Sequence, residues 1–181
     1  WSKTYRFLCR LEWARCQNNM IGLILCAGRG TRLKDETKDK PKCMVDVGGK
    51  LVLERIANHL ENLGVKKIIV NLNSFPEKVI KSFGQRFMYL YEPIPMGEYS
   101  TAVLVQGWFP MENIILVNGD TFTDLDFRKL PFGRYCVDGV PMGVSKIGRD
   151  EAYKDVEVKC WWQDMGTPEG LKKAREYYAN K

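Results

Sequence analysis

From Ile21 onward, short apolar runs alternate with amphipathic stretches. "IGLILCA" is apolar throughout, the pattern of a strand buried on both faces of a parallel sheet. "LVLERIANHLENLG" follows, with Leu53, Ile56, Ala57, Leu60 and Leu63 at helical spacing and Gly64 as its stop. "KKIIVNLN" predicts a second strand, "FPEKVIKSFG" a short helix with Pro76 near its start, and "FMYLYE" a third strand. "YSTAVLVQGW" reads as a helix and "NIILVNGD" as a fourth strand. Between Asp124 and Lys159 glycine and proline break the pattern, and "YCVDGVPMGVSKIG" predicts one or two strands. "GTPEGLKKAREYYANK" closes the chain as a helix, with Pro168 and Glu169 suited to its first turn. Strands alternating with helices define an α/β chain with a mostly parallel central sheet.

Length and composition narrow this picture. The 181 residues suffice for one domain with a substantial core. Residues 20–181 are read as that single domain, starting at Met20. Residues 1–19, "WSKTYRFLCRLEWARCQNN", are read as an N-terminal extension without the apolar core of a signal peptide. Apolar residues make up 45% and aromatics 12%, which argues against disorder. No apolar run is long enough to span a bilayer, so no membrane partner and a cytoplasmic location are expected.

The formal charge is +6, and Lys3, Arg6, Arg10 and Arg15 against Glu12 contribute a local +3 within the first twenty residues. A broad basic face is not required, and no nucleic-acid partner is expected. The six cysteines form no C-x-x-C pair, and His59, on a predicted helix, is the sole histidine. Zinc ligation needs clustered ligands, so reduced thiols are the expectation. One histidine without a paired nucleophile motif also argues against a hydrolase triad.

The first strand ends in "AGRGTRLKDETKDKPKCM". In an open parallel sheet, ligands bind beyond the carboxyl ends of the strands. Gly28 and Gly30 let the backbone approach a ligand closely, and turn N–H groups can face phosphate oxygens. Arg32 adds a guanidinium fork and Lys42 a mobile ammonium, with Pro41 stiffening the chain before it. The dinucleotide fingerprint fails because its third glycine position is Leu33, and no G-x-x-x-x-G-K-[ST] run exists. "KDETKDK" is mixed in sign and reads as a mobile, solvated loop. "ILVNGD" places Asp120 just past an apolar strand, on the same sheet edge as the glycine turn. Alone, Asn-Gly-Asp would be an ordinary turn; beside the glycine turn, a metal ligand is favoured.

"LILCAGRGTRL", with "KPKCMVDVGGKLVLERIANHLENLGVKKIIVNLN", resembles the nucleotidyltransferases that make nucleotide sugars from sugar 1-phosphates. The resemblance covers most of residues 21–120 and resumes at "WWQDMGTPEGL". It implies a Rossmann-like three-layer α/β/α sandwich and a magnesium-dependent reaction. It also implies that Leu25, Ala27, Gly28, Gly30, Thr31 and Gly97 contact the nucleotide, while Arg32 and Lys42 contact its phosphates. A second metal-binding aspartate belongs in a W-x-D-x-G-T setting, matched by Trp162, Asp164, Gly166 and Thr167; the alternative for Asp164 is a helix cap. Asp124 and Asp126 are read as starting the next helix. Implied partners are a nucleoside triphosphate and a phosphorylated small molecule, with Mg²⁺ held by Asp120 and Asp164. A homo-oligomer is left open.

The implied reaction is in-line displacement at the α-phosphorus, with pyrophosphate leaving. The attacking phosphate is already ionised at neutral pH, so positioning and charge stabilisation carry the catalysis. That accords with the missing histidine base. The resemblance thins at "EPIPMGEYSTAVLV", where many sugar-specific members carry G-T-A-G-A. The Tyr-Ser pair is similar to cytidylyltransferases for phosphocholine or another phosphorylated alcohol. Glu98 is either a pocket acceptor or, more simply, a helix N-terminal acid. Asp120 and Asp164 lie only 44 residues apart, where family members carry a longer insert with an E-K-P stretch. Lys146 and Lys159 are candidate substitutes for that lysine. A compact acceptor site and a lost segment both account for the spacing. A catalytically silent nucleotide-binding subunit is the third functional alternative.

Overall fold

A computed structural model describes residues 20–28, 30–148 and 151–180. The extension expected over residues 1–19 lies outside the described residues. The chain runs β1 (Met20–Leu25), the ribbon β2 (Asp46–Val47) and β3 (Lys50–Leu51), α1 (Val52–Asn62), β4 (Lys67–Leu72), α2 (Pro76–Phe83), β5 (Met88–Tyr91), α3 (Glu98–Trp108) and β6 (Asn113–Asn118). It continues through β7 (Thr121–Thr123), β8 (Gly133–Val137), β9 (Val140–Ile147), β10 (Asp155–Glu157), β11 (Trp162–Asp164) and α4 (Pro168–Ala179).

Seven strands form one sheet in the order β10-β8-β9-β6-β1-β4-β5. Its centre is parallel: β1 pairs with β4 and β6, and β4 pairs with β5. β9 runs antiparallel to both β6 and β8. The period of two along each strand sorts the core into two layers. Ile21, Leu23, Ile69, Ile114 and Leu116 face Ala102 and Val105 of α3. Ile24, Ile68, Val70, Ile115 and Val117 face the opposite side, with Leu53, Ile56, Ala57 and Leu60 of α1 and Leu171 and Ala174 of α4. Each valine, leucine and isoleucine among them contributes about 1.5–3 kcal/mol on burial. Both faces of β1 and β6 are covered, which is why those runs read as continuously apolar. The result is the expected three-layer, Rossmann-like α/β/α sandwich.

The region that the sequence pattern left open is a hairpin. Val137 pairs with Val140 across Asp138 and Gly139, which have φ of 51° and 74°. Two consecutive left-handed residues are the signature of a type I′ turn, and Asp-Gly is its preferred dipeptide. Asp126 starts only one 3-10 turn, Phe127–Lys129, accepting from the Arg128 N–H at 3.0 Å. Asp124 instead accepts from the Trp161 N–H at 2.9 Å. His59 is half-buried, with Nε2 3.0 Å from the Leu125 carbonyl oxygen. No helix among the described residues is long and apolar enough to cross a membrane.

Candidate active site

The site begins where β1 ends. Cys26 and Ala27 donate their backbone N–H groups to Asn71 Oδ1, at 2.6 and 3.2 Å. Beyond them Gly28 is exposed, and a side chain there would meet open space. Gly30 sits at φ 63°, and its carbonyl accepts from the Leu33 N–H at 3.0 Å and from Thr37 Oγ1 at 2.9 Å. Leu33 is buried and anchors the 3-10 segment Thr31–Thr37 to the core. This explains a leucine where a dinucleotide fold would carry glycine. Thr31 and Arg32 are left exposed.

The basic loop is more firmly held than a mobile segment would be. Arg175 of α4 donates two parallel hydrogen bonds to Glu36, at 2.7 and 3.1 Å. That guanidinium holds the Glu36 carboxyl below its usual range, against a smaller opposing effect of burial. Lys78 donates to the Asp39 carbonyl. Local charge pattern shows neither long-range partner. The alternating Lys34, Asp35, Lys38 and Asp39 are exposed, as their polarity predicts.

Pro41 and Cys43 are buried on either side of Lys42, fixing its place at the start of a 3-10 turn. Its ammonium donates to Asp120 Oδ2. The two side chains are only 17% and 13% exposed, so little water screens the pair. Asp120 is delivered by β6. The Gly119 N–H donates to the Leu25 carbonyl at 2.9 Å, binding the end of β6 to the end of β1. A Cβ at Gly119 would lie 2.5 Å from that same oxygen, so the approach requires glycine.

Asp164 arrives by a different route. β11 pairs antiparallel with β7, setting Asp164 opposite Thr121, the residue after Asp120. The Met165 N–H then donates to the Asp120 carbonyl at 2.9 Å. Asp164 does not cap the last helix. Thr167 does, accepting from the Gly170 N–H at 3.1 Å, while Asp164 Oδ1 accepts from the Gly166 N–H at 2.6 Å. A Cβ built on Gly166 would meet Arg32 Nη2 at 2.8 Å, Asp120 Oδ2 at 2.9 Å and Asp164 Oδ1 at 2.9 Å. Three polar groups from three parts of the chain thus border one bare glycine, with Lys42 on the same Asp120 oxygen.

Two nearby groups play other parts. The buried Cys26 thiol is pushed well above its ordinary value by its hydrogen bond with Cys43, by burial and by the Asp120 charge. It is a packed thiol rather than a nucleophile. The Lys146 ammonium is taken up by main-chain carbonyls. It donates to the Leu130 carbonyl at 2.9 Å and lies 3.4 Å from the Phe127 oxygen, so it braces the turn before β8 instead of replacing the E-K-P lysine. Lys159 is exposed.

Gly97, at φ 87°, precedes α3 and is exposed. Among the described residues it is linked to the glycine turn through Glu92 and Asn71, which sequence reasoning missed. Glu92 is 2% exposed and Asn71 3% exposed. Their signal in the sequence is a polar residue within the apolar run of β4 and another just after β5.

Comparison with solved structures identifies the class first. HddC from Yersinia pseudotuberculosis superposes with a TM-score of 0.74, covering 87% of this chain and 99% of that one at 22% identity, which establishes a shared α/β fold. Residues 22–121 match the MobA-like NTP transferase domain, and the chain belongs to that nucleotidyltransferase family. A D-glycero-alpha-D-manno-heptose 1-phosphate guanylyltransferase of Campylobacter jejuni is 37% identical over 117 residues, covering 61% of this chain and 52% of that protein. An N-acetylmuramate alpha-1-phosphate uridylyltransferase of Neisseria meningitidis is 31% identical over 115 residues, covering 60% of this chain and 50% of that protein. The chain therefore spans about half the length of these two curated relatives.

Proposed function

We propose that this chain joins a nucleoside triphosphate to a sugar 1-phosphate in a Mg²⁺-dependent reaction, giving a nucleotide sugar and pyrophosphate. The observation that carries this reading is the meeting of Arg32, Asp120 and Asp164 at the bare face of Gly166, beside the glycine turn. Two relatives that act on sugar 1-phosphates with different bases support the acceptor class while leaving the base open.

The donor set fits magnesium. Two carboxylate oxygens border a space that any side chain at position 166 would fill, and Mg²⁺ is commonly held by one or two carboxylates plus substrate phosphates. Bound there by Asp120 and Asp164, it would offset the triphosphate charge and polarise the reacting phosphoryl group. The chain's own groups do the rest. Gly28 leaves room for phosphates at the end of β1, and Gly30 supplies the left-handed backbone of the turn. Arg32 and Lys42 neutralise the triphosphate and the departing pyrophosphate, with Lys42 exchanging its Asp120 contact for phosphate oxygens. An oxygen of the acceptor phosphate forms the new bond to the α-phosphorus. The bond from that phosphorus to the α,β-bridging oxygen breaks, and its electron pair leaves with pyrophosphate. The nucleophile is already anionic, so no side chain need remove a proton.

The test is pyrophosphate release from each nucleoside triphosphate, with Mg²⁺ and a panel of phosphorylated sugars and alcohols. Turnover with a sugar 1-phosphate is the expected result. Turnover confined to CTP and phosphocholine would replace the acceptor class. Tight nucleotide binding with no release from any pair would establish a silent nucleotide-binding subunit.

A further inference from the structure

Glu92 is a buried carboxylate that every contact treats as a hub. Its Oε1 accepts from Asn71 Nδ2 at 3.0 Å and from Thr101 Oγ1 at 2.7 Å, and its Oε2 accepts from the Met96 N–H at 3.0 Å. Among the described residues no lysine or arginine forms an ion pair with it, and the hydrogen bonds to this carboxyl come from neutral groups. Burying a charge in that way is costly unless its hydrogen bonds are well made. Those bonds reach the end of β4, the loop leading to Gly97 and the first turn of α3. Asn71, with its amide committed to Glu92, turns its other side to the Cys26 and Ala27 N–H groups.

We infer that Asn71 and Glu92 are positioning residues that set the glycine turn and the loop 93–100 relative to each other. Neither side chain is placed against substrate. Each closes a hydrogen-bonded path from the backbone at residues 26–27 to the backbone at residues 96–97. The path has a fixed donor–acceptor polarity. Carbonyl oxygen faces the turn, amide N–H₂ faces the carboxylate, and the carboxylate faces the loop. Its importance to turnover rests on the nucleotidyl-transfer reading; its existence as a mechanical link does not.

The polarity supplies the experiment. Glu92→Gln puts an amide donor among donors. Asn71→Asp puts two carboxylates together. The double variant Asn71→Asp with Glu92→Gln restores a matched path, with the charge moved one residue toward the turn. Each protein is tested at full length. Amide hydrogen exchange without substrate reads the link, and steady-state kinetics with the productive substrate pair read its effect. In Glu92→Gln, protection should fall both at residues 26–27 and at residues 96–101, while the central strands keep theirs. Turnover, kcat, should fall about 10- to 100-fold, the range expected when reacting groups are slightly misplaced. The double variant should recover protection in both segments and at least part of kcat.

Loss of protection confined to residues 96–101 would overturn the coupling. So would a double variant no better than the worse single one, or a uniform loss of protection with unchanged kcat. A wild-type protein that releases no pyrophosphate would refute the proposed reaction, yet the exchange result would still decide the link.

Discussion

Lys42, half-buried at the start of a 3-10 turn, and Lys146, buried near the end of β9, do opposite work. Lys42 stands at the carboxyl edge of the parallel strands and pairs with one carboxylate, the partner that the proposed reaction would exchange for substrate phosphate. Lys146 sits on the antiparallel side of the sheet, bonded to main-chain carbonyls that nothing replaces. Burial lowers the Lys146 pKa, with Glu151 opposing the shift. On the proposed reading, the difference teaches that a lysine is available for chemistry when its counter-group is itself a ligand site. It is structural when its counter-group is backbone.

The sharpest break of this comparison is at Asp120. Asp120→Ala should reduce metal-dependent pyrophosphate release by more than about 10³-fold, as expected when a preorganised charge at the reacting centre is lost. Circular dichroism should remain that of the folded protein. Unchanged turnover would remove Asp120 from the metal assignment. Next is Lys42→Met, expected to lower kcat about 10²- to 10³-fold with little change in urea midpoint. A mainly structural loss would place Lys42 beside Lys146.

Lys146→Met should show the reverse. Turnover per folded molecule should hold, while unfolding free energy in urea should drop by about 1–3 kcal/mol, because the Leu130 carbonyl loses its donor. Its alkaline behaviour has a fixed sign. The folded pKa is below the ordinary lysine value, so the unfolded chain binds the proton more strongly between the two. Wild-type stability from this group should therefore rise as pH climbs through that window, and Lys146→Met should lack the rise.

The smallest effect is expected at Arg175→Ala. The Glu36 pair is 42% and 35% exposed, so its loss should cost no more than about 1 kcal/mol at neutral pH. Glu36 has a lowered pKa, so the pair's contribution is full above the ordinary glutamate value and fades as pH falls through the folded one. Urea midpoints of wild type and variant should converge on acidification. A gap that persists with Glu36 protonated would show that Arg175 acts through packing.

Much of this molecule was legible in its sequence because the signals are local. Continuous apolar runs marked β1, β4 and β6, and Gly64 and Pro168 marked where helices stop and start. The glycine turn, Arg32 and Lys42 stood out because backbone room and positive charge at a strand end are properties of a few adjacent residues. The Asp138-Gly139 turn was equally readable and would have resolved the β8–β9 hairpin.

Other features depend on residues that are distant along the chain. Asp164 becomes Asp120's neighbour only because β11 pairs with β7, and no local pattern specifies that register. Gly166 acquires its meaning only when Arg32, Asp120 and Asp164 crowd its bare face. Lys146 could be separated from Lys42 only once its carbonyl partners were seen. Asn71 and Glu92 meet only because β4 packs beside β5 and the fold buries both side chains. Hydrophobic periodicity is a property of the segment, so the sequence determined the layers and marked the sheet edge where the glycine turn lies. Hydrogen-bond partnership across those segments is a property of the packed sheet, so tertiary structure decided which charges share the site.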